Sequence, residues 1–362
     1  MNIYNNRPAN FSRRRYAKAL AISLGLTLAG GSQGQAQQST HRFRILLNTS
    51  LSGPVAFFLL AQDRGYLQQA QLDVQFSAGP GAAAMVPMVK EGSFDAGYGD
   101  ISALIERIAN GPLNEGPVAV FTTFNVVPFT IAVDAAGPIK TPHDLVGRRV
   151  MGHANDAALM TFDLYARAAG FDASRVQVDP SMGSMGHAVA DMLSGKGAQG
   201  VFGFVNTLIA SATPLGVNPA ALRFLNWSDV LPDMYGNTLF VTRETYRRDA
   251  RKIGGLVQAI NRGLVDTVHA PEVAIEALLR HSPGSDQAVN LRRLKGTLSI
   301  EMAHPEGARI GIGDMDDARL ARLIKQIVQV KRLPRTPHVR EVFDKSFLPP
   351  LDQRVRNLAV RL

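Results

Sequence analysis

The stretch FRILLNTSLSGPVAFFLLAQDRGYLQQAQLDVQF, residues 43–76, contains the pattern that decides the fold. The apolar run Phe43–Leu47 predicts a strand that leads into polar residues. Ser52-Gly53-Pro54 is typical of a helix start, because proline is tolerated in the first turn, and the helix is predicted to run to Arg64. Leu72–Phe76 predicts the next strand. Strand, helix and strand in this order indicate an α/β protein with parallel strands.

The same alternation continues in two series along the chain. Gly79-Pro80-Gly81 is followed by a predicted helix that runs to Lys90. Further strands are predicted at Asp95–Tyr98, Val118–Thr122 and Phe129–Val133, and, after Gly137, at Arg149–Met151, Val176–Val178, Val201–Phe204, Leu222–Leu225 and Leu239–Thr242. From Glu244 onward the apolar residues recur at helical spacing. Two α/β series with a helical tail predict two lobes.

Composition bounds the class of protein. The chain has 362 residues, of which 46% are hydrophobic and 19% charged, so it can build two well-packed domains. Its formal net charge of +9 falls to +4 without the basic residues of segment 1–36, which contains no acid. Such a mildly basic mature protein does not indicate nucleic-acid binding. The absence of cysteine excludes disulfides, thiolate metal sites and cysteine nucleophiles.

The N-terminus is predicted to be an export signal. Arg13, Arg14 and Arg15 precede a short apolar segment, Ala19–Gly30, which is too short to span a hydrocarbon core of about 30 Å. Gly34-Gln35-Ala36 is typical of a cleavage site, so residues 1–36 are expected to be removed. The arginine pair fits both a twin-arginine signal and an ordinary secretory signal. A lipid anchor would need a cysteine, so we expect a free periplasmic protein.

Three stretches resemble a known family when taken in order. They are LAQDRGYL at 60–67 followed by Leu72-Asp73-Val74, GSFDAGY at 92–98, and IKTPHDLVGRRV at 139–150. Together with the tail from Gly313 to Pro349, they resemble the periplasmic binding proteins of ABC importers for nitrate, sulfonates, taurine and thiamine-pyrimidine precursors. One departure is Gln199-Gly200, where family members often have an Asp-Ala pair, and it predicts a different second-lobe wall.

The resemblance implies a type II periplasmic-binding-protein fold, in which two α/β lobes are joined by two crossing strands and close on a ligand at a hinge. We place the crossings near Phe129–Asp134 and Asn237–Arg243. Residues 41–134 with 237–362 would then form lobe 1, and residues 135–236 lobe 2. The resemblance also implies a non-enzymatic monomer whose partners are a small solute and the ABC permease of the inner membrane.

First-lobe loops contain candidate ligand-binding residues where strands lead into helices. These residues are Ser50, Ser52, Gly81 and Asp100. Backbone N–H groups and hydroxyls at such positions favour polar or anionic ligand groups. The alternative is that these residues only cap helices, and it applies most directly to Asp100 before the Ile101 helix.

The second lobe and the crossings contain amides and aromatic rings at comparable places. The candidates are Phe124, Asn155, Asp156, Phe204, Asn206 and Tyr235. Amides could hold a planar polar ligand, and the rings could stack on it. Core packing is the alternative for the rings, as it is for Trp227. The solute is therefore expected to be aromatic or heterocyclic, such as a pyrimidine precursor, with an alkylsulfonate or nitrate-like anion as the second choice.

A second functional class remains open. Gly79-Pro80-Gly81-Ala82-Ala83-Ala84 fits the dinucleotide pattern G-x-G-x-x-A, so the alternative is an exported nicotinamide-dependent oxidoreductase. The motif lies on the second strand–helix unit, whereas that fingerprint belongs on the first. The eight histidines lack the spacing of metal ligands, so we predict no metal site. We also predict no cofactor and no catalytic residues. Arg292-Arg293 is predicted to lie on a solvated helix face.

Overall fold

A computed structural model describes residues 42–89, 92–356 and 358 of the chain; the predicted export signal lies outside them. Ten strands form two five-stranded sheets. In chain order they are β1 Phe43–Leu46, β2 Val74–Ser77, β3 Ala96–Asp100, β4 Val118–Thr122, β5 Phe129–Asp134, β6 Arg149–Met151, β7 Gln177–Asp179, β8 Gly200–Phe204, β9 Leu222–Asn226 and β10 Asn237–Val241.

Both sheets have the same strand arrangement. The first has the order β2-β1-β3-β10-β4 and the second β7-β6-β8-β5-β9. In the first sheet β1 pairs in parallel with β2 and β3, and β10 runs antiparallel to β3 and β4. In the second, β6 pairs in parallel with β7 and β8, and β5 runs antiparallel to β8 and β9. The predicted α/β class and the duplication of the two series are therefore confirmed.

Fourteen α-helices surround the sheets within the described residues. They are α1 Ala56–Asp63, α2 Tyr66–Gln69, α3 Ile101–Ala109, α4 Ala157–Met160, α5 Phe162–Ala168, α6 Met185–Leu193, α7 Val205–Ala212, α8 Arg243–Arg248, α9 Ala250–His269, α10 Pro271–His281, α11 Gln287–Gly296, α12 Glu306–Ile310, α13 Asp317–Lys331 and α14 Val339–Val342.

Shorter helical turns connect these elements. The 3₁₀ turns are Gly53–Val55, Val86–Met88, Pro142–Leu145, Ala173–Arg175, Thr213–Leu215, Pro219–Ala221, Trp227–Asp229, Lys345–Phe347 and Leu351–Gln353. A π-helical turn, Thr297–Glu301, continues directly from α11. Within the described part of the chain, no helix has both the length and the apolar character needed to cross a membrane.

The predicted helix after Gly81 is wrong for the residues that the structure describes there. Residues 82–85 form a turn and only Val86–Met88 is helical, as one 3₁₀ turn. Pro87 explains the difference, since a proline inside a helix removes a backbone donor and clashes with the preceding turn. The loop after β2 is therefore irregular. At Gly81 it lies close to Asn155, in the loop that follows β6 of the second sheet.

The sequence predicts one helix over 157–169, whereas the structure divides it into α4 and α5 at Thr161. The Thr161 hydroxyl donates to the carbonyl of Ala157 at 2.7 Å, and the indole Nε1 of Trp227 donates to the same hydroxyl at 3.1 Å. Back-bonding of this kind competes with the helical ladder and bends helices. Trp227 also stacks on Tyr165 with ring centroids 4.0 Å apart and is fully buried, so it is a core residue.

The chain passes between the sheets twice. It enters the second sheet between β4 and β5 and returns to the first between β9 and β10. Helices α9 and α10 pack on α1 beside the first sheet, and α13 packs against both α3 and α5. Since β5 pairs in the second sheet and β10 in the first, the chain changes sheets at residues 123–128 and 227–236. Both changes come just before the expected crossings near Phe129–Asp134 and Asn237–Arg243.

Candidate functional site

A cavity of about 540 Å³ lies where loops from the two sheets face each other. Loops after β1 and β2 form one wall, and the loop after β6 with the end of β8 and α7 forms the other. This is the carboxyl edge of the parallel strands, where open α/β sheets bind ligands. The lining residues are Asn48, Thr49, Pro54, Pro80, Gly81, Ala82, Phe124, His153, Ala154, Asn155, Asp156, Ala157, Met185, Phe204, Thr207, Ser211, Arg293 and Glu301.

The two walls touch each other at the rim of the cavity. A Cβ added to Gly81 would lie 2.9 Å from the carbonyl oxygen of Asn155, so only a glycine permits this approach. Asn206 Nδ2, on α7, donates to Glu301 Oε1 at 3.1 Å. A Cβ on Gly296 would lie 2.1 Å from Asn206 Oδ1. The part of the chain built on the first sheet, with its helical tail, therefore contacts the part built on the second sheet, as the two arms of a closed clamp do.

Five of the candidate residues from the sequence line this cavity. They are Gly81, Phe124, Asn155, Asp156 and Phe204. Asp156 also caps α4, since its Oδ1 accepts from the amides of Ala158 and Leu159 at 2.7 and 3.4 Å. Burial raises the pKa of this carboxyl. Its capping role keeps Asp156 oriented at the cavity wall.

Three first-lobe candidates lie outside the lining. Ser50 is exposed, and Ser52 is buried beside the Gly53–Val55 turn, where its hydroxyl has no hydrogen-bond partner among the described residues. Asp100 is fully buried and caps α3, with its Oδ1 accepting from the Ala103 amide at 3.0 Å. Burial raises its pKa to about 7. Asp100 therefore caps a helix, which was the alternative to a ligand-binding role.

The other two candidates, Asn206 and Tyr235, are held by partners from the C-terminal part of the chain. Asn206 lies behind the cavity surface in its bond with Glu301. Tyr235 is buried beside α13, donating to Glu306 Oε2 at 3.2 Å and accepting from the Asp316 amide at 2.9 Å. Tyr235 therefore helps to anchor α13 instead of lining the cavity.

Sequence reasoning missed several polar residues of the wall, among them Asn48, Arg293 and Glu301. Asn48 follows β1 directly, and its Oδ1 is buried with no partner in the described chain, so its position after a strand was the available signal. Arg293 and Glu301 lie in the helical tail, far along the chain from every strand. Arg293 is half-buried at the cavity, and only Arg292 lies on the predicted solvated face.

α11 brings Arg293 to the wall through a specific contact. Asn290 Oδ1 accepts from the Gly53 amide at 2.8 Å, which attaches α11 to the loop that follows β1. Arg293 lies three residues later, on the same face of the helix. The π-helical turn after α11 then places Glu301 beside it, and such turns are frequent at functional sites.

The two charged groups of this wall are strongly affected by burial. Burial raises the pKa of Glu301 to about 7, against the lowering effects of its hydrogen bond from Asn206 and of the Arg293 charge. Burial also lowers the pKa of Arg293, which Glu301 partly offsets. Titratable groups with perturbed pKa values in a cleft are typical of functional sites.

Neither a metal-binding cluster nor a dinucleotide-binding helix start at Gly79–Ala84 is found among the described residues. Across the described ranges, no group of three or more His, Asp or Glu side chains is arranged to hold a metal ion. The Gly79–Ala84 motif opens a turn, whereas a dinucleotide site needs the N-terminus of a helix at that point. Gln199, the expected change in the second-lobe wall, lies outside the cavity and accepts from the Arg149 amide at 2.8 Å.

The sequence of this chain matches one known protein family. A family model described as NMT1/THI5 like matches residues 53–274, which is more than half of the chain. The chain belongs to the NMT1/THI5-like family. The match begins at the Gly53–Val55 turn and includes all second-sheet strands and β10, and so most of the cavity wall. No curated protein matches the chain in sequence.

Solved structures similar to this family member include periplasmic binding proteins. The aliphatic sulphonate-binding protein SsuA of Escherichia coli is 17% identical with a TM-score of 0.62, covering 83% of this chain and 96% of its own. The alkanesulfonate-binding SsuA of Xanthomonas axonopodis pv. citri, bound to MOPS, is 17% identical with a TM-score of 0.58, covering 84% and 98%. The predicted resemblance and the periplasmic-binding fold with two lobes are confirmed.

The same fold also occurs in an enzyme. The desulfurization enzyme DSZB is 12% identical with a TM-score of 0.55, covering 86% of this chain and 98% of its own. At these identities the likeness concerns the fold alone, because one fold supports many functions. The function of this NMT1/THI5-like protein therefore has to be inferred from the residues of its site.

Proposed function

We propose that this protein is the exported solute-binding component of an ABC importer and captures a small solute between its two lobes by hinge closure. The cavity between the two sheets carries this proposal. Its volume, about 540 Å³, lies within the range of small-molecule sites. Its lining combines hydroxyls and amides with aromatic rings, as such sites require.

Closure follows from the contacts at the cavity rim. Gly81 and Asn155, and likewise Asn206 and Glu301, belong to different lobes and are in contact in this structure. In the proposed hinge motion these contacts break when the cleft opens. A ligand shifts an open–closed equilibrium only by binding one state better. A solute that touches both walls has this differential affinity, so binding favours the closed form, which we propose the permease recognises.

The lobes of the proposed clamp follow the two sheets. We propose that lobe 1 contains β1–β4, β10 and the helical tail, and that lobe 2 contains β5–β9, with crossing segments near 123–128 and 227–236. β5 thereby moves to lobe 2 from the first-lobe range 41–134 that was expected from the sequence. The proposed solute is aromatic or heterocyclic, such as a pyrimidine precursor, or an anion of the alkylsulfonate or nitrate type. Phe124 and Phe204 support an aromatic body, and Arg293 supports a negative charge.

The test is a screen in which solutes of both kinds are scored for an increase in melting temperature without turnover. A binding protein is stabilised by its ligand through mass action and leaves it chemically unchanged. The competing function is enzymatic and is motivated by the DSZB fold likeness. Mass spectrometry of the recovered solute separates the two, because conversion of the solute would contradict the proposal.

Asn206→Ala is expected to weaken binding of any stabilising solute about tenfold or more without unfolding the protein. The substitution removes the cross-cleft hydrogen bond to Glu301. At pH 8, above the Glu301 pKa of about 7, the acceptor is charged and such a bond contributes about 1.5–3 kcal/mol. Calorimetric titration measures the affinity. Asn218→Ala, which removes only a surface cap, is the matched control. Equal affinities for both variants would contradict closure through Asn206.

Export through the predicted signal can be tested separately. Replacing Arg13 and Arg14 with Lys is expected to abolish periplasmic accumulation if the twin-arginine route is used, because that route depends on the arginine pair. Fractionation and immunoblotting measure the periplasmic share, and N-terminal sequencing shows whether the mature chain begins after Ala36. An unchanged periplasmic yield would indicate the general secretory route instead.

A further inference from the structure

Arg293 is a half-buried cation at the cavity wall that lacks an acceptor. Its Nε is inaccessible to solvent and has no hydrogen-bond partner among the described residues. A buried guanidinium group is normally paired, because an unpaired buried charge is costly. The buried Arg319 and the partly buried Arg335 each pair with a glutamate, at 2.9 and 2.6 Å, and the buried Arg243 donates from Nε to the carbonyl of Gly116 at 2.7 Å.

The acids in the same cavity are already engaged. Asp156 accepts from two backbone amides at the start of α4. Glu301 accepts from Asn206, and burial raises its pKa to about 7, which weakens its negative charge near neutral pH. Burial also raises the pKa of Asp156. Among the described arginine, aspartate and glutamate side chains that line the cavity, Arg293 is therefore the one without a hydrogen-bond partner.

The rest of the cavity favours a ligand with an apolar part. Phe124 lies on the crossing from the first sheet, and Phe204 and Met185 lie on the second-lobe side. Phe124 is only 1% exposed and packs on Tyr98 in the core, so Phe204 and Met185, which are partly exposed, supply the accessible ring and thioether. Both groups suit an aromatic or alkyl body. A cavity of this volume is also far larger than an inorganic anion requires.

We propose that Arg293 is the anion-binding residue of this cavity and that the solute is an organic anion whose apolar body lies against Phe204 and Met185. This inference rests on the proposed function, since it names the chemical class of the solute. Guanidinium groups bind carboxylate, sulfonate and phosphate oxygens through two parallel hydrogen bonds, so the shared chemistry is an oxyanion on a carbon skeleton.

The experiment is a thermal-shift screen with charge-matched pairs. Benzenesulfonate, benzoate and phenylphosphonate are compared with benzenesulfonamide and benzamide, and propanesulfonate and propionate with propionamide. We expect stabilisation by anions and none by their uncharged partners. The three anionic groups distinguish sulfonate, carboxylate and phosphonate as the preferred form.

Arg293→Gln and Arg292→Gln form the matched pair of variants for the compounds that stabilise the protein. Arg293→Gln is expected to weaken anion binding tenfold to a hundredfold in calorimetric titrations, and Arg292→Gln, exposed on the same helix, to change it less than about twofold. Stabilisation by uncharged compounds, or anion affinity unchanged in Arg293→Gln, would overturn this inference and leave the proposed function standing. Stabilisation by no compound of either charge would overturn both.

Discussion

Replacing Arg319 with Met is expected to lower the free energy of unfolding by about 3–5 kcal/mol, because it leaves a buried carboxylate without its cation. The side chains of Arg319 and Glu306 are each 7% exposed and lie 2.9 Å apart. The Arg319 guanidinium also donates to the carbonyls of Asn125 and Met234 at 2.8 and 2.7 Å. Urea denaturation at neutral pH measures the loss.

Arg319 holds both places where the chain changes sheets. Asn125 lies between β4 and β5, and Met234 lies between β9 and β10. The same guanidinium stacks on Tyr235 at 3.9 Å from the ring centroid. One side chain of α13 therefore fixes both crossing segments, which a hinge between the lobes would have to bend.

Arg322→Ala is the matched control, one turn along the same helix. Arg322 makes two hydrogen bonds to Asp233, but its side chain is 60% exposed. Surface ion pairs contribute about 1 kcal/mol or less, so a correspondingly small change is expected. If both variants lost the same free energy, the Arg319–Glu306 pair would not have the role assigned to it.

A double substitution separates charge from packing. Arg319→Met with Glu306→Gln removes the stranded carboxylate as well, so part of the lost stability should return. The remaining deficit would report the carbonyls of Asn125 and Met234, which Met cannot satisfy. A double variant no more stable than Arg319→Met alone would contradict the unpaired-charge explanation.

Glu301→Gln is expected to stabilise the protein increasingly as the pH rises. Burial raises the pKa of Glu301 from 4.5 to about 7 in the folded protein. Between these values the folded state binds the proton more tightly than the unfolded state, so the contribution of Glu301 to stability is full below pH 4.5 and is lost as pH rises to 7. Gln carries no charge and avoids this loss.

The expected size follows from the shift in pKa. The free energy of unfolding of Glu301→Gln minus that of the parent should grow by about 2–3 kcal/mol between pH 5 and pH 8.5. The Gln side-chain oxygen can still accept from Asn206, so the cross-cleft bond is kept. Asp100, whose pKa burial also raises to about 7, affects both proteins equally and cancels.

Glu244→Gln provides the control for this pH series. Glu244 is half exposed and pairs with Arg248 on the surface of α8, so its replacement should change stability by less than about 1 kcal/mol. Denaturation curves at four pH values between 5 and 8.5 suffice. A difference between Glu301→Gln and its parent that does not vary with pH would show that Glu301 titrates normally.

The sequence by itself determined the class of fold and most of the local structure. Apolar runs with turn residues between them predicted β1, β4, β6 and β8 within a residue or two, and Asp100 marked the start of α3. These features depend on neighbours in the chain, so local patterns report them. The three family stretches added the two-lobed arrangement that the structure and the family match confirm.

Tertiary structure alone decided which residues meet at the cavity. Gly81, Asn155 and Phe204 were predicted, because they follow strands and strand ends gather at one sheet edge. Arg293 and Glu301 belong to the helical tail, where the sequence shows only an amphipathic pattern. Tyr235 was expected at the cavity, but it packs on α13, where Arg319 stacks on its ring. The physical reason is that such contacts depend on how distant helices pack on the sheets, and no local pattern encodes that packing.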